Sequence, residues 1–394
     1  MLVIVAPGQG AQSPGFLRPW LEDETFASRL HWLSTVAGVD LAHHGTASDA
    51  ETLRDTRIAQ PLLLATCLVA TLELFPHPSD GFSQVGAVAG HSVGELAAAV
   101  GSRAISAEQA MVLVRERGNA MADAAALTPT GMTALLGGDR DDVLATLARH
   151  GLVAANDNGP GQVVAAGTNQ QLAALAADPP AKARLIQLPV AGAFHTVHMA
   201  PAVGHVAELA RSVSVHDPRI PFISNRDGQV VHDGSEVLRR IVAQISHPVR
   251  WDLCMDTMSD LGVTGILEMP PAGTLTGIAK RALTGVETFA LKTPDQLDDA
   301  RAFAAKHGEG SLIDVTPTWR MVVSPIKGTF HIDEAASAAD ELVAGVEIGG
   351  VSSLRDRVAV RAAHGGQVME WLVEDGDPVA PGQPLLRLHP MGVE

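Results

Sequence analysis

Gly90-His91-Ser92-Val93-Gly94 is a G-x-S-x-G pentapeptide set between an apolar run, Val85 to Ala89, and an Ala-rich segment. In that setting two glycines let the chain turn sharply from a strand into a helix, leaving the serine hydroxyl exposed at the strand's end. The Val93 N–H, at the start of the helix, would then face an oxyanion developing on any carbonyl that Ser92 attacks. The chemistry implied is acyl transfer through a serine ester. The plainer alternative, an accidental Gly-Ser turn, is disfavoured by the strand–turn–helix context.

A serine hydroxyl is a weak nucleophile and needs a base within hydrogen-bond reach. The chain holds 16 histidines, so composition does not choose among them. His195 stands out because it follows an apolar strand and the small-residue turn Ala191-Gly192-Ala193, and in α/β sheets sites form at the carboxyl ends of strands. His198 lies three residues on, but no further His, Cys or carboxylate cluster completes a metal site, so neither a metal nor a cofactor is expected. Gly8-Gln9-Gly10 follows the first strand; Ser13 stands where a dinucleotide loop needs its third glycine. Gln9 is instead expected at the same sheet edge as Ser92, helping to form an oxyanion hole. Arg117 has Ala110, Leu113, Val114 and Met121 at helical spacing, which points it inward. A buried arginine is costly unless an anion pairs with it. Either an internal carboxylate does so, or the guanidinium is a fork for a carboxylate on the substrate.

The elements that must position these residues alternate between strand and helix. Leu2 to Ala6 and Val85 to Ala89 read as buried strands, Ala59 to Leu74 as a helix, and a further helix starts near Ser106, which indicates a parallel α/β sheet. Residues 130 to 190 have another rhythm: strand Met132 to Leu136, helix Asp139 to His150, strands Leu152 to Ala155 and Gln162 to Ala166 around Asn158-Gly159-Pro160-Gly161, a helix opened by the Thr168/Gln171 capping box, and strand Ala183 to Val190. That βαββαβ order is a ferredoxin-like unit inserted in the larger domain. The expected division is a hydrolase-like α/β domain over 1–129 and 191–295, the insert over 130–190, a linker over 296–318 and a small all-β module over 319–394.

Taken together these residues resemble the malonyl-CoA:acyl carrier protein transacylases of bacterial fatty acid synthesis, especially the actinobacterial form. The resemblance covers residues 1 to about 295. It rests on Pro7-Gly8-Gln9-Gly10-Ala11-Gln12, Gly90-His91-Ser92-Val93-Gly94-Glu95, Arg117-Gly118, Gly192-Ala193-Phe194-His195, Ser224-Asn225, and Gln244 with Pro248-Val249-Arg250-Trp251. It implies Ser92 as nucleophile, His195 as base, Arg117 on the malonyl carboxylate, and Gln9 with the Val93 N–H as oxyanion hole. It also implies that the Gln244 backbone carbonyl orients His195 in place of a triad carboxylate, none of which is evident by pattern. Its partners would be malonyl-CoA and acyl carrier protein. Phe194, beside His195, leaves little room for a branched extender such as methylmalonyl. The last segment resembles biotinyl/lipoyl carrier domains, with Ser324 to Phe330 as their opening strand. Arg355 stands where the modified lysine should be, and the only lysine after Lys306 is Lys327, so no carrier chemistry is expected.

The bulk properties bound the rivals. The formal charge of −16 argues against nucleic acid as a partner, because phosphate binding needs clustered Lys and Arg. Two distant cysteines, Cys67 and Cys254, suggest buried free thiols rather than a disulfide framework. No signal peptide or membrane span is expected, so the reading is a cytoplasmic enzyme without a membrane partner. A serine esterase or thioesterase is the main alternative, since G-x-S-x-G serves hydrolysis equally well; Arg117 argues against it, as simple esters need no buried cation opposite the nucleophile. An acyltransferase for another extender and a non-catalytic carrier or scaffold are the others. Two short basic pairs, Lys182/Arg184 and Lys280/Arg281, are candidates for docking an acidic carrier protein.

Overall fold

Val and Ile dominate the first five-residue strand, and their β-branched side chains suit a strand buried on both faces, as in parallel sheets. The computed structural model describes residues 1–308, 320–353 and 356–389, in two compact units, residues 1–313 and 314–394. In the first unit the strands are β1 (Leu2–Ala6), β2 (Val85–Gly90), β3 (Thr130–Gly137), β4 (Val153–Asp157), β5 (Gln162–Thr168), β6 (Ala183–Gln187), β7 (Phe222–Ile223), β8 (Val230–Val231), β9 (Val249–Arg250), β10 (Gly265–Glu268) and β11 (Glu287–Ala290). Six of them make one sheet in the order β11-β10-β1-β2-β7-β8. It is parallel except at the β7–β8 edge. Ala6 pairs with Gly90, so the loops leaving β1 and β2 emerge side by side at the sheet's carboxyl edge.

Helices cover this sheet. Thr56–Leu74 is capped by Asp55, whose side chain accepts from the Arg57 N–H. Length and composition would let this helix cross a membrane, but 72% of that stretch is buried inside the protein, against the expectation that no run would approach a span. It packs on Ala107–Leu127, which starts at a capping box between Ser106 and Gln109. Both termini are therefore set by local hydrogen bonds worth about 1 kcal/mol each. Cys67 and Cys254 are buried free thiols.

The second sheet runs β6-β3-β5-β4-β9. Residues 130–187 follow strand–helix–strand–strand–helix–strand, and β9, from later in the chain, adds to β4 in parallel. The helices Arg140–Arg149 and Asn169–Ala177 close one face over Leu135, Val143, Leu147, Val163 and Leu175. The strand expected to reach Val190 stops at Gln187. The other face turns Met132 and Val164 toward Ser92.

The expected linker over 296–318 is corrected in its first half. Leu297–Gly308 is a helix, with Ala300, Ala304 and His307 buried and Gly308 against Gln84. Among its described residues the second unit is all-β apart from one short helix, Glu334–Ser337. Its strands are β12 (Arg320–Val323), β13 (Gly328–Ile332), β14 (Glu341–Leu342), β15 (Glu347–Ser352), β16 (Arg357–Arg361), β17 (Gly366–Trp371), β18 (Pro378–Val379) and β19 (Pro384–His389). They form two four-stranded sheets, β12-β19-β17-β14 and β16-β15-β13-β18, around Phe330, Ile348, Val351, Leu385 and Leu386. The run Ser324 to Phe330, expected as one strand, breaks, leaving Lys327 exposed between β12 and β13. Arg355 lies outside the described residues.

Candidate active site

Ser92 sits on a tight turn between β2 and the helix Gly94–Gly101. The flanking glycines are required by space: a Cβ on Gly90 would lie 2.0 Å from Gly94 backbone atoms, and one on Gly94 would lie 2.3 Å from the Ala6 oxygen. Ser92 itself has φ 54°, a left-handed conformation that its environment must hold. Asn225 does so from the end of β7. Its Oδ1 accepts from the Ser92 N–H at 2.9 Å, and its Nδ2 donates to the Gly90 carbonyl at 2.8 Å.

His195 follows β6 at the turn Ala191–Phe194, pinned where the Ala193 N–H donates to Thr130 Oγ1 at 3.0 Å. It is 3% exposed, with φ 61°. Its Nε2 lies 2.7 Å from Ser92 Oγ, and its Nδ1 lies 2.7 Å from the Gln244 carbonyl oxygen. A carbonyl only accepts, so Nδ1 carries the hydrogen and Nε2 presents a lone pair to the serine. Burial, and then the nearby Arg117 charge, depress His195 to about 3. The ring is therefore a neutral base at any ordinary pH.

Arg117 projects from the helix Ala107–Leu127 and is 2% exposed. Its guanidinium donates to Gln60 Oε1 at 2.7 Å and Gln244 Oε1 at 2.9 Å, and reaches Ser92 Oγ at 3.4 Å. Among the described residues it forms no ion pair with a carboxylate. Burial pulls it down to about 10, opposed by Glu95, so it stays charged at neutral pH. The nearest acid in the network is Glu95, 1% exposed, which accepts from the Asn225 N–H at 2.6 Å and from Gln244 Nε2 at 2.5 Å. Burial pushes Glu95 up to about 8. Gln244 thus meets His195 with its main chain and both Arg117 and Glu95 with its amide.

Gln9 and Phe194 line the same small cleft as Ser92 and His195, about 80 Å³ in volume. The Gln9 side chain donates to the Arg54 carbonyl at 3.1 Å and Thr56 Oγ1 at 3.4 Å. That leaves its backbone N–H, with the Val93 N–H, as the group free to meet an oxyanion; among the described residues neither has a protein acceptor. No cluster of three His, Cys, Asp or Glu side chains with metal-ligand geometry occurs among the described residues, His198 included. Gln60, Glu95 and Asn225 are the members of this network that motif reading gave no role.

The acyl transferase domain family matches residues 3–314. The malonyl CoA-acyl carrier protein transacylase of Mycobacterium tuberculosis is 47% identical over 299 residues, spanning 76% of this chain and 99% of that protein. That of Mycolicibacterium smegmatis is 48% identical over 286 residues, 72% of this chain and 98% of its own. The crystal structure of MCAT from M. tuberculosis superposes with a TM-score of 0.73 at 46% identity, covering 76% of this chain and 99% of that one. A malonyl-transacylase solved in complex with its type II PKS acyl-carrier protein superposes at 0.70, with 27% identity and coverage of 76% and 99%.

Proposed function

We propose, from the premise that this chain belongs to the acyl transferase family and within it to the malonyl-CoA:acyl carrier protein transacylases, that Ser92 carries the malonyl group between two thiols. The activity is transfer of malonyl from malonyl-CoA to acyl carrier protein, in fatty acid synthesis. His195 Nε2 takes the Ser92 proton as Oγ attacks the thioester carbonyl, and the oxyanion forms against the Gln9 and Val93 N–H groups. The C–S bond breaks, and the imidazolium returns its proton to the departing CoA sulfur. The carrier's phosphopantetheine thiol then attacks the malonyl ester, giving its proton to His195, and Ser92 leaves protonated.

Arg117 is the observation that carries this reading. It is a buried cation held by neutral amide oxygens and within 3.4 Å of the nucleophile, which suits a substrate carboxylate and has no purpose for a simple ester. Phe194, 6% exposed beside His195, narrows the space for a branched α-carbon. Ser92 ester chemistry needs no cofactor or metal. The test is the mass of the intact protein after brief exposure to malonyl-CoA: one malonyl adduct is expected, and a protein modified only by acetyl-CoA would overturn the reading.

The proposed location is cytoplasmic, and the apolar helix Thr56–Leu74 is a core helix, 72% of it buried. The insert, β3 to β6 with its two helices on one face, supports a ferredoxin-like reading. Two four-stranded sheets and the β15–β16 hairpin, closed where the Ser353 N–H donates to the Asp356 carbonyl at 2.8 Å, support a biotinyl/lipoyl-like second unit. Between those two residues the sequence offers only Leu354 and Arg355.

A further inference from the structure

A second cavity, of about 350 Å³, lies between the β1–β2 part of the sheet and the helices Thr56–Leu74 and Gly94–Gly101. It shares no lining residue with the Ser92 cleft. Protein interiors rarely leave voids much larger than a water molecule, whereas ligand pockets run from about 300 to 1,000 Å³. Small residues keep this space open, with Gly81, Ala97, Ala98, Gly101 and Ala107 in its wall. The rest of that wall is mostly aliphatic and aromatic.

Arg103 lines this cavity, and Arg219 shares with Arg103 the ring of Phe82, another lining residue. The Arg103 guanidinium carbon lies 5.6 Å from the centre of the Phe82 ring and that of Arg219 lies 6.0 Å from it. Their chain segments are tied by the Arg219 N–H to the Ser102 carbonyl at 2.7 Å and the His216 N–H to the Ala104 carbonyl at 2.9 Å. Both arginines are exposed, and among the described residues neither pairs with a carboxylate, in a chain of net charge −16. Glu108, the one acid in the lining, pairs with neither. Two cations around the Phe82 ring that lines an apolar cavity, neither paired with a carboxylate among the described residues, complement an anion attached to a hydrocarbon.

We infer that this cavity binds a medium- to long-chain carboxylate, with the alkyl tail inside and the head at Arg103 and Arg219. The inference does not depend on the chemistry assigned to Ser92. It is tested by calorimetric titration of the full chain with laurate, held below its micelle concentration, with 1-dodecanol as the neutral control. Arg103→Asn with Arg219→Gln removes the charges while keeping a residue that tolerates the φ of 69° at position 103. Gly101→Leu fills the space, since a Cβ there meets nothing nearer than Val88 Cγ1 at 4.0 Å. Saturable binding of one laurate is expected, weakened at least about tenfold in the arginine double variant and abolished in Gly101→Leu. Malonyl transfer stays unchanged in both variants. Absence of saturable binding, equal binding by wild type and both variants, or dodecanol binding as tightly as laurate would overturn the inference.

Discussion

Ser92 and His195, whose side chains meet at 2.7 Å, are both held at positive φ, 54° and 61°. Left-handed conformations cost non-glycine residues on the order of 1–3 kcal/mol each, and the cost is carried by restraints that do not themselves react. Asn225 holds the Ser92 turn, while Thr130 and the Gln244 carbonyl hold His195.

The nucleophile assignment therefore has two readouts. Ser92→Ala should gain no malonyl mass from malonyl-CoA, and the native protein should show parallel double-reciprocal plots against its two substrates. Ser92→Gly should be equally inactive but more stable than Ser92→Ala by about 1 kcal/mol, because glycine relieves the left-handed strain. A labelled Ser92→Ala protein would refute the ester.

Arg117→Ala should lose malonyl transfer far more than acetyl transfer. Leaving a desolvated carboxylate without its partner costs about 3–5 kcal/mol, or roughly two to four orders of magnitude in rate constant. Acetyl-CoA carries no carboxylate and should be affected little. Equal losses on both substrates would make Arg117 only a strut for Gln60 and Gln244.

The buried network sets the pH behaviour in two ways. With His195 depressed to about 3, kcat/KM for acylation should show no inflection near its ordinary value of 6.5; a limb at that pH would mean a solvated imidazole. Glu95 has the opposite shift, from 4.5 to about 8. The unfolded chain releases this proton first, so between those values it binds fewer protons, and stability falls as pH rises. Glu95→Gln should remove that slope, and urea midpoints measured from pH 5 to 8 would reveal an unchanged slope if Glu95 is not its source.

The parts of this site that could be read from sequence are those encoded locally. Ser92 is announced by a pentapeptide whose glycines answer to clashes of 2.0 and 2.3 Å, and Arg117 by its place on the apolar stripe of one helix. Glu95 and Asn225 fall within recognisable blocks and Gln60 in none, but the three come from separate segments and converge only once β2, β7 and two helices have packed, so no single window shows what they do. The helix Leu297–Gly308 is hidden in the sequence for another reason: its fully buried positions are Ala300, Ala304 and His307, small or polar, and its larger apolar residues Leu297 and Phe303 are only partly buried, so few strongly apolar residues mark it.

Carrier docking should depend on a basic edge of the insert. Leu136 pairs with Gln162 on one side and Arg184 on the other, so all three share a face, and Arg281 donates to Gln162 Oε1 at 2.9 Å. Two residues along β5 on that face, Val164 lines the Ser92 cleft. Lys182 and Lys280 are exposed nearby in sequence, and among the described residues none of the four pairs with a carboxylate. An acidic carrier must overcome like-charge repulsion here. Reversing all four charges should raise the apparent KM for carrier protein and flatten its salt dependence while leaving malonyl-Ser92 formation intact. An unchanged KM would move the docking site elsewhere.

The second unit should be dispensable for the chemistry. Every residue of the Ser92 network lies before position 245, the family match ends at 314, and relatives matched over 99% of their own length cover only 76% of this chain. On the proposed biotinyl/lipoyl-like reading, Arg355 stands where a carrier lysine would be, and a guanidinium stays protonated and offers no ε-amine to a biotin or lipoate ligase. The unit nevertheless has its own packed core around Phe330 and Leu386. That combination favours a docking or stabilising role over carriage. A chain ending at Gly308, which retains the helix that buries Ala300 and Ala304, should transfer malonyl to free carrier protein at the full-length rate, and the intact chain should give no signal with streptavidin or anti-lipoyl reagents. A truncated chain that folds but does not transfer would tie the second unit to the active site, and a positive blot would restore carrier chemistry to it.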